Sequence, residues 1–296
     1  MLYLGEIAAL ATAVCWSLSS IIFTAAGKRI GALQVNLYRL PMAILLIAVT
    51  YTLIFDDFNI PLQSALWLAV SGVIGLAIGD TFLFQAFVMI GSRLSMLLLS
   101  LAPPMTAILA YFFLGEIISS IGIFGILITI AGVSWVVAER TPDSFGRNIH
   151  ISWKGVFFAA MAAVSQAVGL IFAKKGLIPE MNPLLATLIR MSSAAVILWP
   201  FTLLMGKVKS PRSLFYNDNT ALKLVLAGAI LGPFLGVSLS LISVKYTNTG
   251  VAATLMSIVP VLMIPLVLVL EKERPGLRAV LGAAIAVGGV ALIFLR

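Results

Sequence analysis

The chain has 296 residues, of which 61% are hydrophobic and only 10% charged, and its mean hydropathy is +1.13. That balance excludes an ordinary soluble domain, in which about 25% of residues are charged. The formal net charge is +8, but the basic residues sit mostly in short loops without RGG-like runs or interleaved aromatics, so they read as membrane-flanking charges and no nucleic-acid partner is expected.

Apolar stretches, each long enough to cross a hydrocarbon core of ~30 Å, follow one another along the chain. They cover residues 5–25, 34–55, 63–90, 95–114, 119–138, 155–173, 183–205, 221–244, 250–270 and 278–295. Each is predicted to be helical, because a helix satisfies its own backbone hydrogen bonds in lipid. The first stretch has no basic region ahead of it and no clear cleavage site, so it reads as a span rather than a removed signal. Turn signals separate the spans: GKRIG after the first, DDFNIP after the second, GSR after the third and EKERPG before the last. The most polar linker is Glu139–Lys154. The expected division is therefore 1–140 and 155–296, two units of five spans, joined by 141–154. The fold class expected is an all-α integral membrane protein of ten transmembrane helices.

The two units repeat one another. SMLLLSLAPPMTAILAYFFLGE, from Ser95 to Glu116, aligns at a shift of 157 with AATLMSIVPVLMIPLVLVLEKE, from Ala252 to Glu273. The shift superimposes Ser100 on Ser257, Pro103 on Pro260, Gly79 on Gly236, Gly125 on Gly282 and Gly132 on Gly289. Gly5 aligns with Gly155 at 150, and Arg39 with Arg190 at 151. Five spans per unit is an odd number, so the second unit must cross the membrane in the opposite sense. Such an inverted repeat can exchange the conformations of its halves around one central site.

Several residues stand out against this background. Asp80 lies near the middle of the third span, where a lone charge costs roughly 2.5–3.5 kcal/mol on insertion scales, so it should face the protein interior. It suits a substrate amine, a coupling proton or an ion pair. Arg39 and Arg190 occupy matching places two turns inside their helices. They suit a substrate carboxylate or phosphate, or a structural role shared by both halves, and an Arg39–Asp80 pair is a further reading. Pro103, Pro104 and Pro260 interrupt the fourth and ninth helices and free carbonyls there, which marks gating or helix-break positions. Trp16 and Ser20 share a face of the first helix, and Gln166 aligns with Trp16 in the sixth. Phe84 follows Asp80 by one turn and offers an aromatic wall. Ser240, Ser243 and Thr247 form a polar stripe on the eighth. The substrate-binding set read from the sequence is thus Trp16, Ser20, Asp80, Phe84, Gln166, Ser240 and Ser243, with packing as the alternative for each.

These features resemble an EamA-type permease of the drug/metabolite transporter superfamily. The resemblance rests on the Trp16-Ser17 pair, the LAPPMTAILAYFFLGE run with its partner IVPVLMIPLVLVLEKE, and the small-residue fifth and tenth spans, GIFGILITIAGVSWVV and LGAAIAVGGVALIF. It covers the whole chain. Ser17 departs from the Gly that often follows Trp, and Lys272 precedes Glu273 where Gly precedes Glu in the first half. The resemblance implies ten helices with the first four of each half around a central cavity, in a prokaryotic plasma membrane. It implies export of amino acids or related small metabolites, with a proton as the coupling ion. The alternative within the superfamily is an exchanger of phosphorylated or nucleotide-linked sugars.

Other classes fit less well. No GxxxxGK[ST] motif is present for ATP. One histidine and one cysteine, with no acids clustered in the spans, point to no metal, no cofactor and no enzyme chemistry. Orientation is divided: Lys and Arg number 13 on the side of the 1–2, 3–4, 5–6, 7–8 and 9–10 loops and 4 on the other. The positive-inside rule then puts the termini outside, whereas the resemblance implies cytoplasmic termini.

Overall fold

A computed structural model of the chain describes residues 3–55, 60–115, 117–138, 141–142, 148–149, 152–178, 181–216, 218–246, 255–272 and 275–294. The described residues are almost wholly helical. The first half holds α1 (Leu4–Ile30), α2 (Ala32–Ile54), α3 (Leu62–Gly72), α4 (Asp80–Leu99), α5 (Ala102–Leu114) and α6 (Ser120–Val137). The second holds α7 (Trp153–Gly176), α8 (Pro183–Leu204), α9 (Pro211–Phe215), α10 (Asn219–Ala229), α11 (Val237–Tyr246), α12 (Val259–Leu266) and α13 (Leu277–Phe294). Between them, Thr141–Pro142 and Asn148–Ile149 pair as a minimal antiparallel ladder. Seven helical runs among the described residues are long and apolar enough to cross a membrane, and three shorter apolar helices accompany them, Ala102–Leu114, Val259–Glu271 and Leu277–Ile293.

The polarity of the chain is inverted relative to a water-soluble fold. Leu53, Phe112, Phe124, Val196, Leu204 and Val269 are exposed, whereas Thr12, Ser17, Asn36, Arg39, Asp80 and Thr129 are buried. An apolar exterior this extensive is a surface for hydrocarbon. In lipid the helices gain little from hiding apolar surface from one another, so close van der Waals packing and internal hydrogen bonds hold them together.

Helix ends follow local chemistry. Ser119, Ser152, Asn182 and Asp218 cap α6, α7, α8 and α10 by accepting from backbone N–H groups of Gly122, Gly155, Leu184 and Ala221, which fill some of the orphan donors of each first turn. Asp218 also pairs with Arg29 at 3.0 Å, and that guanidinium, with the Ala221 amide, holds its carboxyl below the usual range.

The third and fourth spans differ from the predicted layout in their join. Helix runs through to Leu99 apart from Gly91, whose φ of 78° and ψ of 166° turn the chain there. Gly tolerates a positive φ at no steric cost. The fourth span then breaks at Ser100–Leu101 before Pro103, and the ninth at Ser257–Ile258 before Pro260. Proline has no N–H to donate back along a helix, and it stands where that donor is spare, in the first turn of a new one. The prolines thus start α5 and α12, and that is why these helices are short.

A second pair of irregularities lies at the same shift of 157. Val73–Gly79 and Ile230–Gly236 are π-helical, joining α3 to α4 and α10 to α11. Packing between the halves follows one pattern: α1 lies on α10–α11, α7 on α3–α4, α2 on α8 and α6 on α13. Exchanging the halves turns each of these pairings into another of the same set. The tightest is α6 with α13. A methyl group on Gly125 would lie 2.6 Å from the Gly289 carbonyl oxygen, and one on Gly132 would lie 2.9 Å from that of Gly282. Thr129 donates to its own helix at Gly125 O and across to Ala286 O, the residue that aligns with it in the repeat.

Space therefore separates two neighbouring glycines. A Cβ on Gly288 would meet nothing within 4 Å, whereas one on Gly289 would lie 2.5 Å from the Thr129 amide nitrogen. Gly289→Val is expected to destabilise the purified protein by at least the ~1–3 kcal/mol of an overpacked core, and Gly288→Val to leave it within about 0.5 kcal/mol. Thermal unfolding in detergent checks both.

Candidate functional site

The polar centre of the molecule is built on Asp80. It is 6% exposed and opens α4 directly after the first π-helical stretch. Its Oδ2 accepts from Arg39 Nη2 of α2, which is 5% exposed. Its Oδ1 accepts from Gln166 Nε2 of α7 at 2.9 Å. The carboxylate thus bonds to both halves of the chain, and its two oxygens are taken by different ones. A charge-assisted pair with a guanidinium is the strong form of such a bond.

The wide turn before Asp80 explains how these side chains are placed. A π-helical stretch leaves carbonyls without their usual i+4 amide partner. Leu76 O and Ala77 O accept from Asn36 Nδ2 at 3.1 and 3.3 Å, and Gly75 O accepts from Gln166 Nε2 at 3.3 Å. Asn36 Oδ1 in turn accepts from Arg39 Nε at 3.0 Å. Asn36 therefore orients Arg39 and also ties α2 to the wide turn. Two aromatic faces complete the setting: the Arg39 guanidinium carbon lies 4.9 Å from the Phe84 ring centroid and 5.9 Å from that of Phe23, close enough for cation–π attraction.

Arg190 of α8 reaches the same centre from the other half. A methyl group on Gly75 would lie 3.6 Å from Arg190 Nη2 and 3.8 Å from Gln166 Oε1, so the two side chains flank that glycine. Arg190 Nε is buried and has no hydrogen-bond partner among the described residues. The backbones meet closely here as well: a methyl on Gly72 would overlap the Arg190 carbonyl, and one on Gly169 would lie 3.1 Å from Gly75 Cα.

Known proteins supply a frame for this geometry. The sequence matches the EamA-like transporter family over residues 3–138 and 153–295. The chain belongs to the EamA-like transporter family. A search of curated proteins finds no significant match. Among solved structures, one crystal structure is similar over 97% of this chain and 95% of its own, with a TM-score of 0.68 at 18% identity. That likeness concerns the fold.

As an EamA-like transporter the chain is a multi-pass integral membrane protein that moves small substrates. Within it, the structure brings four of the residues singled out in the sequence to one place, Arg39, Asp80, Gln166 and Arg190, with Phe84 as a wall. Others lie elsewhere. Trp16 packs with the cluster of Ala13, Val259, Met263 and Val267, against Gly236, where a methyl would lie 2.6 Å from its Nε1. Ser20 donates to Ser17 O and contacts Met263 Sδ at 3.3 Å. Ser240 bonds its own helix at Val237 O, as such hydroxyls commonly do. Ser243 is fully buried, and its hydroxyl has no partner among the described residues. Pro103, Pro104 and Pro260 sit at helix starts, as described above. Thr247, Glu116, Glu273, Asp56 and Asp57 lie outside the described residues. Asn36 and Phe23 join the centre without having stood out in the sequence. Asn36 carried a signal, as an amide in an apolar span one turn before Arg39.

In this EamA-like transporter, removing either partner of the Arg39–Asp80 pair leaves a buried charge uncompensated. Arg39→Gln or Asp80→Asn should each cost about 3–5 kcal/mol. The double variant should lose clearly less than the sum, by roughly 1–3 kcal/mol of coupling. Thermal or denaturant unfolding of the four proteins in one detergent reads the cycle.

Proposed function

We propose that this chain is a secondary transporter, an exporter of small organic metabolites such as amino acids, working by alternating access in a prokaryotic plasma membrane. Its ten spans form two inverted halves, 1–140 and 155–296, linked by 141–154. The observation that carries the reading is that one buried carboxylate accepts hydrogen bonds from both halves at their meeting point. Support for the inversion comes from the paired π-helical stretches, the paired breaks before Pro103 and Pro260, and packing that maps onto itself when the halves are exchanged. Rocking one half against the other strains the Gln166 hydrogen bond to Asp80 and leaves the Arg39 contact intact, since Arg39 and Asp80 belong to the same half.

A proton is the coupling ion in this proposal. Asp80 is the one fully buried acid among the described residues. Neutralising it weakens its hold on Gln166, and so lowers the cost of separating the halves. The second reading, exchange of phosphorylated or nucleotide-linked sugars, draws on the convergence of two arginines on one centre.

Reconstituted protein tests this. Proteoliposomes preloaded with radiolabelled amino acids should show saturable flux, stimulated by a proton gradient directed against the solute. Flux indifferent to the pH gradient removes proton coupling. Flux absent for amino acids but present for sugar phosphates replaces the first reading with the second.

A further inference from the structure

The central cluster is not electrically balanced. Arg39, Arg190 and Asp80 bring two positive charges and one negative to a single buried site. Both oxygens of Asp80 are occupied, by Arg39 Nη2 and Gln166 Nε2. Arg39 is further held by Asn36 and covered by Phe23 and Phe84. Arg190 has no equivalent set of partners. Its backbone is fixed, since Ser193 Oγ donates to the Arg190 carbonyl at 2.9 Å and to Ala69 O at 3.0 Å. Its side chain, with Nε buried and bare, lies beside Gln166 and the side-chain-free flank of Gly75. A guanidinium in that position keeps a bidentate face for an oxyanion. An uncompensated charge within a membrane protein marks a functional position, because its burial is costly without a partner.

We infer that Arg190 is the residue that holds the substrate, and that the substrate presents a single carboxylate to it. The equivalence of Arg39 and Arg190 in the repeat is thus broken by Asp80, which neutralises one and leaves the other for ligand. The charge count selects among anions. A carboxylate sets one negative charge against the one guanidinium that Asp80 does not pair with. A phosphate monoester, at about −1.5 to −2 near neutral pH, overshoots it. Gln166 Oε1, 3.8 Å from the same flank of Gly75, can accept from an ammonium beside the carboxylate, which suits an α-amino acid. The inference rests on the transporter reading and narrows its substrate class.

The test uses the full-length protein, an equimolar mixture of the common L-amino acids as one probe, their methyl esters as the second and glucose 6-phosphate as the third. Amino acids should raise the thermal unfolding temperature of the wild type, and neither other probe should. Arg190→Gln should weaken apparent amino-acid affinity by about thirtyfold or more, with Arg190→Lys retaining part of it. Without ligand, Arg190→Gln should unfold at or above the wild-type temperature, because it removes a buried guanidinium whose Nε makes no hydrogen bond. A structural arginine predicts a clear drop instead. Esters that stabilise as well as the acids, a wild-type shift with glucose 6-phosphate alone, or full amino-acid response in Arg190→Gln each overturn the inference. Should Arg190→Gln take up amino acids like the wild type in proteoliposomes, the inference falls and the transporter reading stands. No flux of any solute through the wild type removes the reading itself.

Discussion

One carboxylate joins the two halves of this molecule. Asp80 accepts from Arg39 within its own half and from Gln166 across the interface, and its position is set by a wide helical turn whose loose carbonyls are bonded by Asn36 and Gln166. In lipid such bonds weigh heavily, because helices there gain little from hiding apolar surface from one another. The close approaches at Gly72, Gly75 and Gly169 follow from the same demand: the side chains can reach Asp80 only if the backbones meet.

The peripheral pair α6 and α13 shows the other half of the design. It is glued by backbone contact across Gly125, Gly132, Gly282 and Gly289, with one shared hydroxyl bond from Thr129, and it carries no charge at its centre. Rigid packing at the edge and a breakable polar link in the middle are what a device that moves one half against the other requires. One of the irregular stretches, Val73–Gly79, lines that polar centre. Irregular backbone at membrane depth is tolerated when protein surrounds it.

Much of this was legible in the sequence, and for identifiable reasons. Residue spacing revealed the duplication, because Pro103/Pro260 and the glycine pairs punish any drift in register. Asp80, Arg39 and Arg190 were visible because charge is rare in an apolar span. An Arg39–Asp80 pair was one reading among several, since nothing in the spacing says which faces of α2, α4 and α8 point together. The π-helical turns were hidden too, because the extra residue in the turn leaves no compositional mark. Trp16 and Ser20 stood out by type, yet they face Gly236 and Met263, because position on a helix face, and not chemical character, decides which partner a side chain meets.

The proposed alternating access depends most on the two halves crossing the membrane in opposite senses. In a background with Cys15 replaced by Ala, single cysteines at Lys28 and Leu177 occupy near-equivalent ends of α1 and α7, and both positions are exposed. Labelling with a membrane-impermeant maleimide, applied to intact cells and then to inverted vesicles, reads their sides directly. Inverted halves predict that Lys28→Cys and Leu177→Cys are labelled from opposite faces. Labelling of both from the same face contradicts the inversion.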